Sequence, residues 1–125
     1  MSKFTLCVDF DGVVHAYNSP WIDAVTISDG PVEQAFDWLE QMVTDYTVAI
    51  YSSRSKTPGG INAMLEWFTR HGLPPHVLTQ LVFPTEKPAA VLYIDDRAWL
   101  FDGPSGDWGF PTKHDIESFK PWNRG

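Results

Sequence analysis

The chain contains a single cysteine, Cys7, so no disulfide can form within it. Basic residues are also scarce. Nine Lys and Arg stand against 16 Asp and Glu, for a net charge of −7. That balance disfavours an independent, non-specific grip on nucleic acid, which relies on basic surface, though it leaves room for a small local basic site. No apolar run approaches the ~20 residues that a membrane span needs. The first residues lack the charged-then-apolar pattern of a secretion signal, so the expected compartment is a reducing cytoplasm. There is no internal repeat, low-complexity tract or linker. Residues 1–125 are therefore expected to form one domain around one core. Aromatics are plentiful, with six Trp and eight Phe, and that core should be rich in them.

The most informative stretch is Leu6-Cys7-Val8-Asp9-Phe10-Asp11-Gly12. Phe4, Leu6, Cys7 and Val8 read as a buried strand, central in a sheet. Period-2 alternation starts Asp9 and Asp11 on the same side, and Gly12 permits a sharp turn after them. Two carboxylates at the end of a core strand are costly to hold without a neutralising cation. Cys7 itself reads as a small buried hydrophobe.

Further along, Val13–Gly30 shows no sustained period and is longer than most strand-to-helix loops, which run ~2–6 residues. It is expected to form a flap over the site, with residues 24–27 as one arm of a small hairpin. Pro31 then opens a helix whose apolar face is Val32, Ala35, Phe36, Leu39, Met42 and Val43. Tyr46–Tyr51 has strand composition and runs into Ser52-Ser53-Arg54-Ser55. A second helix starts at Thr57-Pro58, repeats the apolar face at Ile61, Met64, Leu65 and Phe68, and stops at Gly72. Residues 81–83, 91–94 and 98–101 are three short strand candidates, and a last helix is expected over 112–119. This order predicts an α/β fold: an open, mainly parallel, Rossmann-like sheet with helices on both faces. Ligands bind such sheets outside the carboxyl ends of the strands. Asp9, Asp11, Ser52, Ser53, Asp95 and Asp96 should therefore meet in one crevice, with Lys87 and Arg54 near it.

Carboxylates without histidine or cysteine partners are hard oxygen ligands suited to Mg²⁺. Hydroxyls and a lysine beside such a site suit a phosphoryl group. At this point the sequence resembles the haloacid dehalogenase (HAD) superfamily. Asp9-Phe10-Asp11-Gly12 after a strand, Ser52 after the next, Lys87 before the last buried strand and Asp95-Asp96 at its end are similar to the four HAD motifs, in their order. Lys87-Pro88 with Tyr93-Ile94-Asp95-Asp96-Arg97-Ala98 resembles the small stand-alone HAD hydrolases of phages and bacteria.

The resemblance implies a Mg²⁺-dependent phosphomonoester hydrolase working through an aspartyl-phosphate. Asp9 would be the nucleophile. Asp11 would be the general acid and then the general base. Ser52, or Ser53 beside it, would hydrogen-bond the phosphoryl group. Lys87 would neutralise charge between Asp9 and the phosphoryl oxygens, and Arg54 would contact a substrate phosphate. Asp9, the backbone carbonyl of Asp11, and Asp95 would bind Mg²⁺, with Asp96 acting directly or through water.

Larger HAD enzymes insert a cap domain, and neither insertion point here has room for one. The expected protein is capless, with an open pocket and a phosphorylated substrate. Two rival readings are a phosphatase component of a nucleic-acid end-processing system acting on 3′-phosphate ends, and a non-catalytic phosphate-binding module. His15 and Tyr17 either meet the leaving group or pack in the loop. Trp21 either contacts the leaving group or folds onto the sheet as core.

Overall fold

The computed structural model describes residues 3–124. The apolar run becomes β1, Thr5–Asp9, and it is central as expected. β2 is Thr47–Tyr51, β3 Leu81–Val82 and β4 Leu92–Ile94, and they lie in the order β3-β2-β1-β4. Every ladder is parallel. Asp9 faces Tyr51 in the β1–β2 register, and Val8 faces Ile94 in the β1–β4 register. Because the strands run the same way, their carboxyl ends share one edge. The residues after each strand are delivered there together.

Helices α1, Ala35–Asp45, and α2, Gly60–Arg70, carry the two apolar faces read from the sequence. With α3, Pro75–Leu78, they supply Leu39, Val43, Met64, Trp67, Phe68 and Val77 to a single buried cluster with Leu6, Val8, Val48 and Ile50. The even-numbered side chains of β1 and β2 thus point to the helical layer. The odd-numbered ones, Cys7 and Ala49 among them, point to the other face. Trp67 and Phe68 meet Phe10 edge-on at 5.0 and 5.7 Å, which confirms the aromatic core. The second helical layer is much reduced. Residues 83–91, the crossover from β3 to β4, contain no helix, and α4, Lys113–Ser118, buries none of its residues.

Several local expectations change. The first helix begins at Ala35 rather than Pro31, after Gln34 in the left-handed region at φ 72°. The second begins at Gly60, because Ser53–Lys56 first forms a 3-10 turn capped by Ser52. A side chain at residue 60 would collide with the Arg54 carbonyl, so that turn and α2 fit together only through a glycine. Residues 24–27 form no hairpin arm: the Asp23 carboxylate accepts the N–H groups of Val25 and Thr26 and closes a turn there. Residues 98–101 form no strand either. Trp99 packs edge-on against Trp108, and Phe101 packs at a tilt against Phe110, folding the segment onto residues 103–110 instead of onto a strand neighbour. Among the described residues no helix is long and apolar enough to cross a membrane.

Candidate functional site

β1 ends at Asp9, and the chain then departs from strand geometry at once. The Phe10 carbonyl accepts the N–H groups of Val13, Val14 and His15, at 3.3, 3.0 and 2.9 Å. This tight turn breaks the period-2 alternation, so Asp9 and Asp11 do not share surroundings.

Asp9 sits with Asp95 and Asp96, the residues after β4. One carboxylate oxygen from each lies within 4.8 Å of the others. Asp95 is held in place by accepting the N–H of Arg97 at 2.9 Å. Both oxygens of Asp96 are buried and have no hydrogen-bond partner. Gly12, at φ 88°, backs directly onto that carboxylate, and any Cβ here would overlap it. Among the described residues no Lys or Arg forms an ion pair with the cluster, although the charge of Arg97 acts on Asp96 from nearby. Burial, and then the charges of Asp95 and Asp96, push the Asp9 carboxyl up to about 8, against a single opposing hydrogen bond from the Phe10 N–H. Burial likewise raises Asp96.

Asp11 has the opposite company. Arg54 Nε lies 3.2 and 3.0 Å from its two oxygens and Nη2 3.1 Å from Oδ1. His15 Nδ1 lies 2.9 Å from Oδ1. Nε2 of the same ring accepts the Asp29 N–H at 3.0 Å, so Nδ1 carries the proton and donates it to Asp11. Burial works to raise Asp11, but the hydrogen bonds from His15 and Arg54 and the guanidinium charge outweigh it, and the carboxyl stays below its ordinary range.

Arg54 does more than pair with Asp11. Nη1 donates to the carbonyls of Asp23, Ala24 and Thr26, each at 3.0 Å, and the guanidinium lies 4.4 Å from the Trp21 ring centroid. It is 1 % exposed. The expectation that Arg54 contacts a substrate phosphate is therefore corrected: its guanidinium is enclosed by Asp11 and the 23–26 backbone. The Val13–Gly30 segment is anchored at further points. Asp29 binds the backbone and hydroxyl of Ser19, its carbonyl accepts Trp67 Nε1, and Asn123 donates to the carbonyls of Ala16 and Tyr17. His15 is 1 % exposed, so it packs in this loop and does not face the crevice.

The crevice has two lobes that share Asp9, Ser52, Ser53 and Asp95. One, of about 120 Å³, is closed by Cys7, Tyr51, Lys87, Tyr93 and Ile94. The other, of about 330 Å³, is walled by Asp11, Tyr17, Trp21 and Arg97. Lys87 lies over the Tyr93 ring at 4.8 Å. Ser52 is buried: its hydroxyl accepts the Arg54 N–H at 3.1 Å and lies 3.5 Å from Asp11. Ser53 is exposed, and its hydroxyl bonds to no other described residue. Sequence reasoning brought Asp9, Asp95, Asp96, Ser52, Ser53 and Lys87 to one edge, and the structure places them there. It missed Tyr51, Tyr93 and Arg97 as walls. The strand parity shared by Tyr51 and Asp9 was the available signal for the first. Comparison of the chain with protein-family models, with curated proteins and with solved structures finds no match.

Proposed function

We propose that the protein is a divalent-cation-dependent phosphomonoester hydrolase in which Asp9 is the nucleophile. The observation that carries this reading is the trio Asp9, Asp95 and Asp96: three hard oxygen donors converging with no ion pair, and with a buried carboxylate unpartnered, among the described residues. Such a cluster fits Mg²⁺. Asp9, Asp95 and Asp96 would hold it, and when bound it would draw charge from the phosphoryl oxygens.

The chain's own residues supply the rest. Lys87 and Ser53 line the lobe beside Asp9 and are placed to bind phosphoryl oxygens. An Asp9 carboxylate oxygen attacks phosphorus as the bond to the leaving oxygen breaks. Water then attacks the aspartyl-phosphate, releasing inorganic phosphate and restoring the carboxylate. Asp11 starts each turnover ionised, which is the state of a general base. In the first half it relays to the leaving oxygen the proton that a phosphomonoester monoanion brings with it. In the second it takes a proton from water. One unpaired cysteine suits a reducing compartment.

The test is hydrolysis of an aryl phosphate by purified protein with Mg²⁺. Activity that disappears on dialysis against chelator and returns with the cation supports the reading. Equal activity in chelator removes the metal mechanism, and phosphate binding without turnover under any divalent cation leaves a binding module.

A further inference from the structure

The two lobes of the crevice are chemically unlike, and the difference bears on what the protein hydrolyses. Asp9, the nucleophile of the reading above, stands where they join. The leaving group must depart opposite the attacking oxygen and toward the residue that hands it a proton. Asp11 walls only the larger lobe, and Lys87 only the smaller. The smaller lobe therefore takes the phosphoryl oxygens, and the larger takes the leaving group.

Three side chains beside Asp11 give that larger lobe its character. Trp21 is 45 % exposed, yet one of its faces is covered. Its ring rests on the Arg54 guanidinium, which the carbonyls of residues 23, 24 and 26 clamp. Part of the cost of ordering this ring is thus met before any ligand arrives. Tyr17 meets it edge-on, with centroids 6.5 Å apart. Tyr17 also has φ 51°, an uncommon backbone state for a bulky residue, and Asn123 grips its carbonyl at 2.7 Å. Arg97 is exposed on the same wall and forms no ion pair with any described residue. An indole surface with an exposed guanidinium beside it that no ion pair holds suits a flat ring that carries a negative charge.

We infer that the natural substrate is a phosphomonoester whose leaving group carries a planar aromatic ring, stacked on Trp21, and a second anionic group, bound by Arg97. This rests on the hydrolase reading for its geometry. The acidic surface of the chain does not oppose it, because the two cations of the crevice, Lys87 and Arg97, stand at its opposite ends.

Three substrates with the same primary-alcohol leaving oxygen separate the elements: ribose 5-phosphate, adenosine 5′-monophosphate and adenosine 3′,5′-bisphosphate, with release of the 5′-phosphate measured. The expected order of kcat/KM rises at each addition. Trp21→Ala should lower the ratio of the monophosphate to the ribose ester by roughly 5- to 150-fold, the range that base stacking on an aromatic residue spans. Trp21→Phe should keep most of it. Arg97→Ala should lower only the ratio of the bisphosphate to the monophosphate, and Arg97→Lys should restore part of that. Equal kcat/KM on the ribose ester and the monophosphate, or a Trp21→Ala loss that is the same on both, overturns the inference while leaving the hydrolase reading standing. Calorimetric titration of adenosine 5′-monophosphate into the Asp9→Asn protein gives a readout independent of turnover. Binding there that Trp21→Ala weakens, with no hydrolysis of any substrate by the unmutated chain, keeps the ring site and removes the hydrolase reading. The absence of both binding and hydrolysis removes the two together.

Discussion

Asp9 and Asp11 are two residues apart on one strand end, and their fields are of opposite sign. Asp9 gathers carboxylates and lacks a cation. Asp11 gathers a buried guanidinium and an imidazole N–H and lacks nothing. The first region is therefore unfinished without a cation, and the second is complete as the chain folds. When neighbouring titratable groups are pushed apart in this way, their roles divide. Asp9 waits for a partner, and Asp11 is held ionised and in place before a substrate arrives.

The sharpest way to break this comparison is to neutralise each side. Asp9→Asn removes the proposed nucleophile, so turnover of an aryl phosphate should fall by at least about 10⁴-fold, as nucleophile deletions do elsewhere. The metal-free melting temperature should not fall, because a carboxylate leaves a crowded cluster. Residual activity within tenfold of the unmutated chain would refute the assignment. Arg54→Met attacks the other side. It leaves a buried carboxylate and three backbone carbonyls without their donor, and the expected loss of stability is about 3–5 kcal/mol, read by chemical denaturation. A loss below 1 kcal/mol would mean that the Asp11 side is not the finished one.

Next in size is the response to a cation. Mg²⁺ at about 100 times its dissociation constant should stabilise the protein by about 2.7 kcal/mol. Asp95→Ala should abolish most of that shift in melting temperature. So should Gly12→Ala, because the new methyl displaces Asp96. An undiminished shift in either variant would place the cation elsewhere.

The smallest effect is on the pH dependence of the metal-free protein. The folded Asp9 carboxyl is raised to about 8, above its unfolded value, so between about pH 4 and 8 the folded chain binds the extra proton and stability falls as pH rises. Asp11 is lowered, so its contribution is present above its unfolded value and lost only as pH falls below the ordinary carboxylate range. One proton separates the two states, so the Asp9 slope is at most about 1.4 kcal/mol per pH unit. Asp9→Asn and added Mg²⁺ should each flatten it in urea titrations at fixed ionic strength.

What was legible in the sequence follows the same division. The Asp9 side depends on strand ends, and apolar runs mark strands well. Once β1 and β4 are read as parallel, Asp9 and Asp95 must share an edge. The faces of α1 and α2 were equally plain in their spacing. The Asp11 side depends on a turn in which one carbonyl, that of Phe10, accepts three N–H groups, and no residue pattern announces that. Arg54 was read as a phosphate-contacting arginine because arginines are seldom buried. Its burial depends on carbonyls contributed from about 30 residues away. α3 was passed over because Pro74-Pro75 reads as a stop, although a proline at the first position also starts a helix. Residues 98–101 have strand composition but no neighbour to pair with, and composition alone cannot supply one.

The β1–β4 ladder joins only three residue pairs, ending at Val8 and Ile94. A slip of one residue there would turn every β4 side chain to the opposite face and carry Asp95 and Asp96 away from Asp9. So short a ladder is a weak lock on its own alignment. A cation that binds only the aligned arrangement lends its whole binding energy to that arrangement, and so acts as a register gauge. Mg²⁺ present during refolding should therefore raise the yield of correctly paired chain, before any substrate is met.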